Sequence, residues 1–169
     1  MRTALDAQID TLDSHEKNFV SKIREHGWFR TSVSADEGHV GFSYSTGLWF
    51  TLGFPEIIVF SLKAETAHSV LWNVFREVRA GKKPPVGRPT AVFANMNGVF
   101  FSVSREHYAE HFGWSRWFYG SDDFPCLQLV WPDTHGVFPW QAGAEEHFRQ
   151  SQPDLTAASW AAEFECAGN

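Results

Sequence analysis

Several groups of residues in this chain have types and spacings that could do chemistry. His107-Tyr108-Ala109-Glu110-His111 spells H-x-x-E-H, in which histidines four apart on a helix face can hold zinc while the glutamate acts as base. Such a site needs a third protein ligand from a later element, and the nearest candidates, Asp122, Asp123 and His135, have no recognisable ligand spacing. The expectation is an amphipathic helix with two surface histidines and no metal. Cys126 follows Pro125 at the start of an apolar run, a setting for an inert core thiol more than for an activated nucleophile. Gln128 interrupts the same run, so its amide must find partners, either in neighbouring backbone or a tyrosine hydroxyl, or in a ligand facing a pocket.

Asp122 and Asp123 follow Tyr119-Gly120-Ser121, where carboxylates cap backbone groups or face solvent, and Arg116 is near enough to pair with either. Trp114, Trp117, Phe118 and Tyr119 could wall a planar or cationic ligand, although most rings in such clusters form core. There is no G-x-S-x-G elbow, no phosphate-binding P-loop and no G-x-G-x-x-G. No residue is therefore assigned a catalytic role, and no cofactor is implied.

The elements that must position these groups follow from periodicity. Leu5, Ile9, Leu12, Phe19 and Ile23 make an apolar stripe that predicts a helix over residues 4–26, stopped by Gly27. Residues 28–33 read as a strand, turned back at Asp36-Glu37-Gly38. Val40, Phe42, Tyr44 and Thr46 then alternate with Gly41, Ser43 and Ser45, giving a strand with one bulky face and one small face that something must approach closely. Residues 57–60 form a continuous apolar run, as in a central strand covered on both faces, and residues 64–80 form a helix. Met96-Asn97-Gly98 predicts a tight hairpin between residues 90–95 and 99–104. A helix over 105–118 and a last strand from Cys126 to Trp131 complete the order, and the tail after Trp140 has a short helix capped by Asp154.

This pattern predicts a single α+β domain over residues 1–169, with a mainly antiparallel sheet of five to six strands, an N-terminal helix and two or more helices packed on it. A net charge of −6 disfavours binding to a nucleic-acid backbone. Two cysteines, Cys126 and Cys166, do not make a disulfide framework and read as reduced thiols. No run reaches the ~18 apolar residues of a membrane span, and the acidic N-terminus is no secretory leader. These features together predict a cytoplasmic protein with neither nucleic acid nor membrane as partner.

A spaced set of motifs is more specific than any of these. Gly27-Trp28, Phe42-Ser43-Tyr44-Ser45-Thr46-Gly47-Leu48, Pro55-Glu56, Trp117-Phe118-Tyr119-Gly120, and Leu127-Gln128-Leu129-Val130-Trp131-Pro132-Asp133 with Phe138-Pro139-Trp140 resemble the bacterial domain of unknown function numbered 4262, over about residues 26–140. The sequence departs from that pattern at Ser45, where a tyrosine-threonine-bulky apolar-glycine-leucine run is more typical. The resemblance implies a small soluble bacterial α+β domain and carries no reaction with it.

Two functions compete. One is a small-molecule pocket where residues 42–48 meet residues 117–133, with Tyr44, Thr46, His107, Trp117, Tyr119, Asp122, Gln128 and Asp133 as ligand-binding candidates. The other is a protein-binding module, such as an immunity or accessory protein, that uses an acidic, aromatic surface. The chain would act as a monomer or a homodimer.

Overall fold

The structure is a computed structural model that describes residues 2–167, with side chains as far as Phe164; the Cys166 side chain lies outside that range. The first long helix begins at a capping box. Asp13 accepts a hydrogen bond from the Glu16 N–H, and the Glu16 carboxylate accepts one from the Asp13 N–H, both at 2.8 Å. Helix α1 therefore spans Ser14–His26, and the stripe that begins at Leu5 is carried by two 3-10 turns, Ala4–Asp6 and Ile9–Thr11, in place of helix. Gly27 closes α1 in the left-handed conformation, at φ +82°.

Strands β1 (Phe29–Val33), β2 (Phe42–Thr46), β3 (Glu56–Phe60), β4 (Pro89–Ala91), β5 (Asn97–Ser102) and β6 (Cys126–Val130) form one sheet in the order β1-β2-β3-β6-β5-β4. Every neighbouring pair is antiparallel except β3 and β6, which run parallel at the centre. All five residues of each central strand are buried, including the two polar ones, Glu56 and Gln128. The domain is α+β with a single six-stranded sheet.

Helix α3 (Ala64–Arg79) covers one face with Ala67, Val70, Leu71, Val74, Phe75 and Val78, packed against Ile57, Val59, Phe100, Leu127 and Leu129. It also approaches the small-residue side of β2. On the other face lie α1 and the region after β5, which is broken into a 3-10 turn (Arg105–His107), α4 (Tyr108–His111) and α5 (Gly113–Tyr119). The break falls at Phe112, whose φ of −116° and ψ of 38° are not helical, so the helix expected over 105–118 becomes a 3-10 turn and two short helices.

The hairpin differs from its expectation. Asn97 and Gly98 are the first residues of β5, paired with Ala91 and Thr90, and the connection is the longer stretch 92–96. Gly98 is needed for packing, because a Cβ there would lie 2.6 Å from Leu129 Cδ1 and 2.9 Å from Val92 Cγ2. The C-terminal segment docks: Leu155 joins the core under α4 and α5, and Trp160, in the helix Trp160–Ala167, packs with Val99, Phe101, Val130 and Phe138. No helix among the described residues is long and apolar enough to cross a membrane.

Candidate functional site

Glu56, the first residue of β3, is wholly buried, and four donors converge on its carboxylate. Oε1 accepts from the N–H groups of Gly47 (2.8 Å) and Trp49 (3.1 Å) and from the Tyr119 hydroxyl (2.5 Å), and Oε2 accepts from Ser45 Oγ (2.5 Å). Gly47 and Trp49 open the short helix α2 (Leu48–Leu52), so the acid also lies where that helix presents free N–H groups. Burial pushes the Glu56 carboxyl above its ordinary value of 4.5, against the opposing pull of its hydrogen bonds. Burial and the adjacent acid push the Tyr119 hydroxyl up as well. Ser45, the position where the chain departs from the resembled pattern, is thus a donor to Glu56, and it accepts from the Ile57 N–H at 2.9 Å.

Residues 42–48 and 117–119 do meet, but the meeting place is a filled interior. Thr46 is buried with its hydroxyl 2.6 Å from that of Ser115, and Tyr119 is spent on Glu56 and on the Phe50 N–H. Several other candidates are also committed to structure. The Gln128 amide donates to the Pro153 carbonyl and accepts from the Leu155 N–H, which ties the C-terminal segment to the sheet. Asp122 pairs with Arg116, with Nε at 2.5 Å. Asp133 closes its own turn by accepting from the N–H groups of His135 and Val137, which hold its carboxyl below the ordinary range. Trp117 borders an open cleft between α5 and residues 2–7.

Tyr44 and His107 are brought together, in a groove of about 820 Å3 between the β1–β2 hairpin, the α4 region and residues 150–155. Tyr44 is buried, and its hydroxyl accepts from the Trp114 N–H at 3.1 Å. Next to His107 along the groove stands His111. The sequence predicts both as surface residues, and for His111 this is corrected: only 8% of it is exposed, because the ring packs on Phe42 and Phe60, with centroids 5.2 and 5.5 Å away. His111 Nδ1 is buried without a hydrogen bond, and its closest charged neighbour is the Glu110 carboxylate at 4.0 Å. Burial lowers the His111 pKa from 6.5 and so favours the neutral ring. Among the described residues, no group of three or more histidine, cysteine or acidic side chains is placed to hold a metal ion.

Two site residues, Glu56 and His111, are not among the ligand-binding candidates read from the sequence. Glu56 stands just before an apolar run, where a charge is easily read as the edge of a strand, and only its position between Pro55 and Ile57 marks it. For His111 the available signal is its spacing from His107, but the aromatic partners that bury it come from β2 and β3, far away in sequence.

A single-sheet α+β domain with a buried acid hub and a histidine-lined groove defines the class of molecule. The chain belongs to the family described as Domain of unknown function (DUF4262), whose model matches residues 22–145. No curated protein and no solved structure matches the chain.

Proposed function

We propose that this domain binds a small molecule in the groove bordered by Tyr44, His107 and His111, and that the Glu56 hub is the internal brace that fixes the groove's strands. The observation that carries the reading is the state of His111. A polar ring more than nine-tenths buried, with a nitrogen that makes no hydrogen bond, lowers stability, a cost that a functional role would explain. A phenylalanine would fill the same space between Phe42 and Phe60 without that cost. The groove's size also suits a small ligand. This site lies beside residues 42–44 and the α4 region, and not in the contact between residues 42–48 and 117–133.

The protein-binding alternative has weaker support. Trp72 is 40% exposed, but the notch it shares with Trp28 is lined by Lys22, His26, Arg30 and His68, which is opposite in charge to the acidic surface that reading requires. The acidic composition and the free, buried Cys126 support a cytoplasmic location, and the family resemblance supports a bacterial source.

Native mass spectrometry of freshly purified protein, followed by a thermal-shift panel of small metabolites, tests the proposal. At least one compound should raise the melting temperature of the wild type and lose that effect in His111→Phe. Stabilisation that survives unchanged in His111→Phe and in Tyr44→Phe overturns the reading.

A further inference from the structure

The charges that rim the groove narrow the class of ligand. Three separate elements each place a carboxylate on it: Asp36 from the β1–β2 hairpin loop, Glu110 from α4 and Asp154 from the C-terminal segment. Among the described residues, no lysine or arginine lines it. The aromatic side chains that line it are Phe42, Tyr44, Phe60 and Trp114, and the His111 ring lies against Phe42 and Phe60. From the geometry and charge of this lining we infer that the groove takes an organic ammonium ion with an apolar body, a deduction that rests on the groove being the ligand site.

Two independent features point the same way. The carboxylates and the electron-rich ring faces both attract a cation, and a desolvated cation held over aromatic rings gains more than an exposed one. His111 lines the groove, and burial favours its neutral form, so the ring adds no positive charge that would repel a cation. An anionic ligand would meet three carboxylates without a guanidinium or ammonium to offset them. Asp154 is partly engaged, since it accepts from Thr156 and from the Trp160 N–H, and Asp36 lies 3.1 Å from the His39 ring. Glu110 is therefore the rim charge with the fewest commitments to structure.

Isothermal titration with three molecules that share one body separates the outcomes: 2-phenylethylamine, 2-phenylethanol and 3-phenylpropanoate. The amine should bind at least about tenfold more tightly than the alcohol, and the carboxylate should show no binding. Glu110→Gln and Asp36→Asn, both at exposed positions, should each weaken the amine about threefold or more and leave the alcohol unchanged. Equal or tighter binding of the alcohol or the carboxylate, lost in His111→Phe, overturns the ammonium inference and leaves the groove as the site. Amine binding that persists in His111→Phe and ignores both rim substitutions overturns the inference and the groove reading together. No binding by any of the three overturns the ammonium inference, and the thermal-shift panel then decides the groove separately.

Discussion

The Tyr119 hydroxyl donates to Glu56 Oε1 at 2.5 Å, joining the end of α5 to the first residue of the central strand across the interior of the domain. The same hydroxyl accepts from the Phe50 N–H, so a single oxygen serves β3, α5 and α2. Tyr119→Phe would remove one of the four donors to a buried acid and leave the Phe50 amide without its acceptor. The expected cost is about 1–3 kcal/mol, read from urea denaturation, with the fold retained. A variant as stable as the wild type would mean that the hydroxyl is not needed to satisfy Glu56.

The same acid has a pH signature. Its folded pKa is raised above 4.5, so the folded state binds the proton more tightly than the unfolded chain. The Glu56 contribution to stability is therefore complete below about pH 4.5 and is lost as pH rises through the folded value. Other carboxylates titrate in the same range, so the informative quantity is the difference between wild type and Glu56→Gln. The stability of the wild type relative to that variant should fall as pH rises from about 4 upward.

His111 should behave in the opposite sense. Its folded pKa lies below 6.5, so the unfolded chain takes up the proton first as pH falls. The contribution is complete above about pH 6.5 and lost as pH falls toward the folded value. His111→Phe removes this dependence and the nitrogen without a hydrogen bond, so it should equal or exceed the wild type in stability by up to about 1 kcal/mol while abolishing ligand-induced stabilisation. Greater stability with lost binding is the mark of a residue retained for function. A large loss of stability would mark a structural histidine.

The sheet was readable from the sequence because its signals are local. The alternation from Val40 to Thr46 and the unbroken run Ile57-Ile58-Val59-Phe60 each fix a strand without reference to the rest of the chain. The site was less readable because it depends on what comes from elsewhere. The Gln128 amide is open to a structural or a ligand partner in the sequence, and its partners are backbone atoms 25 and 27 residues later, in a tail with no motif of its own. The buried state of His111 depends on rings from two other strands, which periodicity does not encode. Asn97-Gly98 misled for a related reason: the glycine answers to Leu129 across the sheet and not to a turn.

Gly47 tests how tightly the hub is built. It has φ +110°, and a Cβ there would lie 2.8 Å from the Gly27 carbonyl oxygen and 3.0 Å from Trp28 Cα, both backbone atoms that cannot swing aside. Gly47→Ala would strain the residue whose N–H holds Glu56 and push the end of α1 away from β2. The expected loss is about 2–4 kcal/mol by chemical denaturation. Gly53→Ala makes the control, since it also has positive φ (+60°) but nothing within 4 Å of its Cβ, and it should cost only about 1 kcal/mol.

Gln128 gives the test that separates brace from ligand group. Its side chain is 1% exposed, and both ends of the amide are occupied, by the Pro153 carbonyl at 2.7 Å and the Leu155 N–H at 3.1 Å. Gln128→Leu keeps much of the volume and removes both bonds, leaving two backbone groups of the tail without their partner. Stability should fall by about 2 kcal/mol or more. Because Pro153, Asp154 and Leu155 also form one wall of the groove, the tail should become a preferred site of limited proteolysis, and any groove ligand should bind more weakly. Adding a saturating ligand should then slow cleavage of the variant's tail, which links the two effects through one wall. Weakened binding with a tail as protected as in the wild type would instead mean that Gln128 acts on the ligand directly.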